Sequence, residues 1–293
     1  MLPIFDNLLG LRARQNQDLR RERRILRENS DPFDLPENRF IELYRLNKDS
    51  VHNLIRMLRP HLHTPAYAWG ITCEAKIFTA LRFYATGCYQ RAIGEQYQLG
   101  LSQTSVHRCV HELICDPNLC ILNVNANFPG STHDSFIWRQ SRIKQFLHGR
   151  YINGMRNVWL IGDSGYPLEQ YLMTPFADAA EGSPEFRYNG HHARARNCIE
   201  RCIGVLKMRL RCILKERTAR YSPQFIGRLF NTCAVLHNIC VNAHVPLMGE
   251  ALDPVAENIN VNNHIGNHVP HEINDLNEAR QIRQNIVTRY FQG

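Results

Sequence analysis

No apolar run in this 293-residue chain approaches the ~18 residues that would cross a membrane, so no membrane contact is expected. Residues 1–10 are too short and too poorly organised for a secretory leader, which points to the nucleus and cytoplasm. Paired CxxC spacing is absent as well. Cys73, Cys88, Cys109, Cys115, Cys120, Cys198, Cys202, Cys212, Cys233 and Cys240 are therefore expected to be reduced, for the most part as small buried hydrophobes. The tightest group, His107-x-Cys109-x-His111-x3-Cys115, imitates a zinc site, but zinc motifs pair two ligand couples across a longer loop. Acid is in deficit: 27 Asp and Glu stand against 35 Lys and Arg, for a net charge of +8. That balance favours a polyanionic partner such as nucleic acid.

With 44% hydrophobic residues the chain can bury a substantial core in one or two domains. Its basic residues are clustered. Ten Lys or Arg between 187 and 220 face two acids, Glu200 and Glu216, and a second cluster spans 12–27. Residues 1–35 read as a basic arm, ending in the linker signal Asn29-Ser-Asp-Pro32. Residues 36–112 read as helical. Phe40, Leu43 and Tyr44 form a short stripe, Asp49 or Ser50 can cap a helix carrying Val51, Leu54, Ile55 and Leu58, and 74–86 forms a third helix stopped by Gly87. Tyr89 to Tyr97, a turn at Gly100, and a second helix capped by Ser102 resemble a helix-turn-helix. Such a unit would turn Gln103, Thr104, His107 and Arg108 toward DNA; a plain helical hairpin reads equally well.

Residues 113–245 change character. After a turn at Asp116-Pro-Asn118, Leu122, Val124, Ala126 and Phe128 alternate with asparagines as a half-buried strand. Ser131-x-x-Asp134 can open a helix burying Phe136, Ile137, Ile143 and Phe146. Val158-Trp-Leu-Ile161 suits a central strand covered on both faces. Residues 246–293 supply a linker, rich in Asn and His over 257–270, and a final helix carrying Leu276, Ala279, Ile282, Ile286 and Tyr290.

Asp163 follows the apolar strand directly, where α/β folds place reactive groups, and Gly162 and Gly165 would permit close approach by a metal or phosphate. Glu200 lies on a helix predicted over 197–214. Ile199, Ile203, Leu206, Leu210 and Ile213 form its apolar stripe, and Glu200, Gly204, Lys207 and Arg211 form another. Paired carboxylates suit phosphodiester chemistry, which needs ligands to hard cations ~3.5–4 Å apart. Lys207 and Arg211 could hold the strand by its phosphates.

Several motifs then fall in one order: Ala80-Leu-Arg-Phe-Tyr-Ala-Thr-Gly87, Gly100-Leu-Ser-Gln-Thr-Ser-Val-His-Arg108, Ile114-Cys-Asp-Pro-Asn118, Phe128-Pro-Gly-Ser-Thr-His-Asp-Ser135, Leu160-Ile-Gly-Asp-Ser-Gly-Tyr-Pro167, Ile199-Glu-Arg-Cys-Ile-Gly-Val-Leu-Lys207, Tyr221-Ser-Pro223 and Cys233-Ala-Val-Leu-His-Asn238. This series resembles the PIF/Harbinger transposase-derived nucleases of the DDE superfamily and covers most of 40–242. The resemblance implies an α/β, RNase H-like nuclease domain and an Asp-Asp-Glu triad holding Mg²⁺ or Mn²⁺, in which Asp163 matches the second Asp and Glu200 the Glu. Asp134 matches a motif position outside that triad, where a place in a helix's first turn accounts for it. The family also implies a Myb-like DNA-binding partner.

One departure stands out. The strand that carries the first Asp in the family has no counterpart here: the chain passes from Val106-His-Arg-Cys-Val-His-Glu112 straight into Leu113-Ile-Cys-Asp116. The domain is expected to be incomplete near 111–113, with sheet edges exposed. Asp116 is the nearest acid in the sequence, but the resemblance gives it no catalytic role. Two further readings remain beside the nuclease: a catalytically inactive DNA-binding or partner-binding protein, and a zinc-dependent module using His107, Cys109, His111 and Cys115.

Overall fold

The computed structural model describes residues 21, 31–63, 71–87, 112–125, 133–214, 222–248 and 273–292. The expected helix-turn-helix, with Gln103, Thr104, His107 and Arg108, lies outside them. So do His107, Cys109 and His111 of the zinc-like cluster, the linker, the end of the predicted strand at 126–128, and the basic cluster except Arg21. No helix of the described residues is long and apolar enough to cross a membrane. The chain divides into two compact units, residues 1–85 and 86–293.

The first unit is helical. α1 (Glu37–Tyr44), α2 (Lys48–Leu58) and α3 (Cys73–Thr86) enclose Phe40, Val51, Ile55, Ile77, Phe78 and Leu81. Phe33, from the short turn before α1, stacks on His52 at 3.9 Å and meets Phe78 edge-on at 5.2 Å. The cap of α2 is Asn47, whose side chain accepts the Ser50 amide at 3.0 Å, rather than Asp49 or Ser50. An N-cap needs its oxygen just outside the helix to reach the amide three residues on, and both expected residues already lie inside. Gly87 follows α3 at φ +61°, the left-handed stop that its lack of a Cβ makes easy.

Among its described residues the second unit has two separate ladders. β1 (Glu112–Cys115) and β2 (Ile121–Asn125) form an antiparallel hairpin; β3 (Leu160–Ile161) and β4 (Leu172–Met173) pair in parallel. Between Ile114 and Cys115 the register jumps, since Ile114 faces Asn123 while Cys115 faces Ile121. Leu122 is thus the extra residue of a bulge. It turns outward, 64% exposed, and Ile121 takes the inward place that alternation had given Leu122. The single helix expected after Ser131 is two: α4 (Asp134–Gln140) and α5 (Arg142–Ile152), with Ser141 capping the second. The break rotates Phe136 and Phe146 outward, keeps Ile137 buried as expected, and buries Trp138 and Leu147 in their place. Trp138, Leu147, Tyr171 and Leu172 form a local core with Ile143, Tyr151 and Tyr166 packed on it.

The apolar run before Asp163 is not a strand covered on both faces. Its strand is two residues long, and Val158 and Ile161 are 51% and 47% exposed. Among the described residues β3 pairs with β4 alone, so one of its sides has no described strand beside it.

α6 (Pro184–Arg209) is far longer than predicted, because Ser183 caps it and Pro184 takes its first position. It also ends earlier. Leu210 leaves helical geometry at φ −120°, ψ 82°, and Arg211–Ile213 form a short 3₁₀ turn. α7 (Pro223–Asn242) packs on β2 and α6. α8 (Ile273–Phe291) lies along α6, burying Ala279 and Val287 rather than Tyr290. From α8, Arg283 donates to the Thr174 and Pro175 carbonyls and sits 3.8 Å over the Phe176 ring.

Candidate active site

Asp163 lies where β3 ends. Its Oδ1 accepts the Gly165 amide at 3.0 Å, a turn that holds the carboxylate in one orientation. Its Oδ2 accepts from Arg196 Nη2 of α6 at 3.1 Å, with the two side chains 37% and 34% exposed. Gly165 brings in a second carboxylate. A Cβ on Gly165 would lie 3.1 Å from Asp163 Oδ1 and 3.3 Å from Asp134 Oδ2, so those two oxygens are at most 6.4 Å apart, the sum of the two distances. Asp134 reaches this point as the first residue of α4.

Glu200 is exposed on α6, one turn after Arg196. At 100° per residue Arg196, Glu200 and Lys207 fall within about 40° of one another, an acid flanked by two cations on one helix face. Arg211 does not join them. It sits in the 3₁₀ turn beyond the helix end, exposed, because the helical register it was assigned has already stopped. Gly204 leaves open space, with nothing within 4 Å of a Cβ. Gly162 serves packing rather than a ligand, since its missing Cβ is replaced by Leu172 and Tyr166 at 3.2 Å. The buried face of α6 is Tyr188, His192, Cys202, Val205, Leu206 and Arg209.

The Cys233–Asn238 and Ile114–Asn118 motifs hold the fold. Asn238 grips β2 by both backbone groups of Ile121, accepting its N–H and donating to its carbonyl, each at 2.8 Å. His237 is fully buried and bonds through Nε2 to the Leu119 carbonyl at 2.8 Å. Burial holds its pKa below the usual histidine value, so the ring is neutral and donates. Asp116 caps the hairpin turn by accepting the Cys120 amide at 2.8 Å, which occupies it structurally. Cys115 faces Cys198 of α6 at 3.7 Å, while its contact with the Cys202 thiol, and then burial, push its pKa up. Among the described residues no three His, Cys, Asp or Glu side chains are arranged to hold a metal ion.

The donor set nevertheless suits a hard cation at Asp163. Two carboxylates flank a cradle that lacks a side chain, and a guanidinium already stands in as the cation on Oδ2. Asp134 and Arg196 are the members that sequence reasoning missed. Asp134 was visible only as a helix-opening residue, because its approach to Asp163 spans a tertiary fold. Arg196 could have been found by starting the helix at the Ser183-Pro184-Glu185 signature, which puts it in line with Glu200.

Residues 101–238, which contain Asp134, Asp163 and Glu200, match the DDE superfamily endonuclease family. The chain is similar to Harbinger-derived nucleases. Among its relatives are the human protein named "Putative nuclease HARBI1", 25% identical with 88% of this chain and 92% of the relative covered, and its Xenopus laevis counterpart, 22% identical over the same shares. "Protein ALP1-like" of Arabidopsis thaliana is 27% identical over 143 residues, covering 45% of this chain and 34% of the relative. The human alignment runs over 337 positions, whereas 88% of 293 residues is about 258. About 79 of those positions are therefore filled by the relative alone. No solved structure matches the chain.

Proposed function

We propose that this protein is a transposase-derived, metal-dependent nuclease fold acting on DNA phosphodiester bonds, with Asp163 and Asp134 flanking the cradle for Mg²⁺ or Mn²⁺ and Glu200 as the ligand that the family resemblance supplies. The observation that carries the reading is the convergence of Asp134 and Asp163 across Gly165, inside a segment that matches the endonuclease family and also contains Glu200. A divalent cation held there would supply charge stabilisation at the phosphate and lower the pKa of a water molecule. The Gly165 amide fixes Asp163 so that one oxygen faces the cradle. On this reading Lys207 and Arg196, which share the Glu200 face of α6, bind the phosphates on either side of the cleaved bond. DNA contact by Gln103, Thr104, His107, Arg108 and Arg211, a Myb-like DNA-binding partner, and residence in nucleus and cytoplasm belong to the same proposal.

The test is cleavage of duplex DNA by the full chain with Mg²⁺ or Mn²⁺. Asp163→Asn is expected to lower any metal-stimulated rate by more than about a hundredfold, the upper end of what losing even an outer-shell partner costs. Unchanged cleavage in that variant overturns the assignment.

A second reading has its own support. About 79 positions of the human relative have no counterpart here, in keeping with an absent strand and first Asp near 111–113, and Asp163 is already paired with Arg196. On that reading the chain binds DNA or a protein partner without cutting. It predicts salt-dependent DNA binding with no EDTA-sensitive cleavage, and cleavage by the 293-residue chain that EDTA abolishes would reject it.

A further inference from the structure

Two ion pairs of the second unit invite comparison. Lys144 and Glu169 meet at 2.7 Å with side chains 15% and 8% exposed, and Trp138 Nε1 adds a 3.1 Å bond to the same carboxylate. Arg196 and Asp163 meet at 3.1 Å, through one N–H, with about a third of each side chain in solvent. The first is enclosed by the core. The second joins a flexible arginine stem to a carboxylate at an open cradle, an arrangement in which the partner can be exchanged at small cost.

We infer that Arg196 is a positioning residue with two alternating partners: Asp163 in the cation-free protein, and a DNA phosphate once a divalent cation occupies Asp163. This rests on the metal-dependent reading above. Asp163 Oδ1 faces the Gly165 cradle, where it also accepts the Gly165 amide, and Arg196 holds Oδ2, so a cation that takes this carboxylate through both oxygens meets the guanidinium on Oδ2. A guanidinium and a divalent ion on one oxygen would repel each other, so binding of one expels the other. Arg196 then lies beside Glu200 and Lys207 on the exposed face of α6, where a strand drawn to the cation presents its phosphates. In the cation-free protein the pair also masks one negative charge. Asp134, Asp163 and Glu200 would otherwise repel the DNA backbone together.

The experiment compares the full-length wild-type chain with Arg196→Ala, Arg196→Gln and Arg196→Lys. Mn²⁺ alone is titrated by calorimetry, and a fluorescent duplex is titrated at several salt concentrations with Mn²⁺ present. Removing the competing guanidinium is expected to tighten Mn²⁺ binding about fivefold in the Ala and Gln variants, the size a partly exposed ion pair can reach. Arg196→Lys should stay near wild type. DNA binding with Mn²⁺ should weaken in the Ala and Gln variants, with a log–log salt slope shallower by about one. Equal or weaker Mn²⁺ binding in both neutral variants, with wild type binding normally, makes Arg196 a fixed structural bridge and overturns the inference while leaving the nuclease reading intact. Tighter Mn²⁺ binding with an unchanged salt slope overturns the phosphate partner. Failure of every protein to bind Mn²⁺ overturns the inference and the metal-dependent reading together. Having both Ala and Gln guards against one variant failing to fold.

Discussion

The two ladders of the second unit are built to different standards. The β1–β2 hairpin is gripped from outside the sheet: Asn238 takes both backbone groups of Ile121, His237 reaches the Leu119 carbonyl, and Asp116 closes the turn. The β3–β4 ladder is two residues long on each strand, exposes Val158 and Ile161, and ends in a carboxylate paired loosely with Arg196. These three side chains all fix the first ladder through bonds to backbone. The side chains around the second are instead anchored from below and left partly open above. The difference separates residues kept for folding from residues available for a ligand, although both kinds sit in the same family motifs.

If the open ladder is held from beneath, its largest vulnerability is Glu169, whose buried carboxylate has Lys144 and the Trp138 indole as partners. Lys144→Ala strands that charge in the core, and such losses cost about 3–5 kcal/mol. A denaturant melt at neutral pH should show the loss, and Lys144→Ala with Glu169→Gln together should recover part of it, because the stranded charge is gone. A loss under about 1 kcal/mol would mean that the ladder does not depend on this pair, and the contrast with the clamped hairpin would collapse.

Acid probes one group on each ladder. Burial holds the pKa of His237, on the hairpin, and of His192, whose ring faces the Met173 carbonyl of β4 at 3.2 Å, below the ordinary histidine value. In the unfolded chain each takes a proton near pH 6.5, whereas in the fold each stays neutral. Their contribution to stability is therefore complete above about pH 6.5 and is lost as pH falls below it, toward the depressed folded values, by at most about 1.4 kcal/mol per pH unit for each ring. His237→Gln keeps a donor for the Leu119 carbonyl but cannot titrate. Thermal melts between pH 7 and 5 should fall less steeply for this variant than for the wild type. Equal slopes would show that His237 is not the acid-sensitive part of the clamp.

What the sequence disclosed divides along the same line. Asp163 after its apolar run and Glu200 on a helix were readable, because local motifs and a 3.6-residue period carry that information. The inward face of β2 was not, since one bulge residue at Leu122 inverts an alternation that counts only in twos. Arg211 was misplaced for a related reason: a helical wheel assumes the helix continues, and α6 ends at Arg209. Val158 to Ile161 read as a covered strand because apolar composition cannot report whether a neighbouring strand is present. The approach of Asp134 to Asp163 depends on how α4 packs against the β3 turn, a contact between distant segments that no spacing rule expresses.

That contact supports the gentlest test of the difference between the ladders. At Gly165 a Cβ would sit 3.1 Å from Asp163 Oδ1 and 3.3 Å from Asp134 Oδ2. Those are tight contacts with side-chain ends that can give way, so Gly165→Ala is expected to alter stability by no more than about 0.5 kcal/mol, within the range of ordinary surface substitutions. The same methyl would fill the space between the two carboxylates. If that space is a cation cradle, calorimetry should show weaker Mn²⁺ binding in a protein whose melt is almost unchanged. If the open ladder were only a less finished version of the clamped one, Mn²⁺ affinity would be the same in both proteins. A substitution that leaves the fold alone and changes only the ion would place Gly165 with the residues available to a ligand, whereas an equal affinity would return Asp134 to a purely structural place in the first turn of its helix.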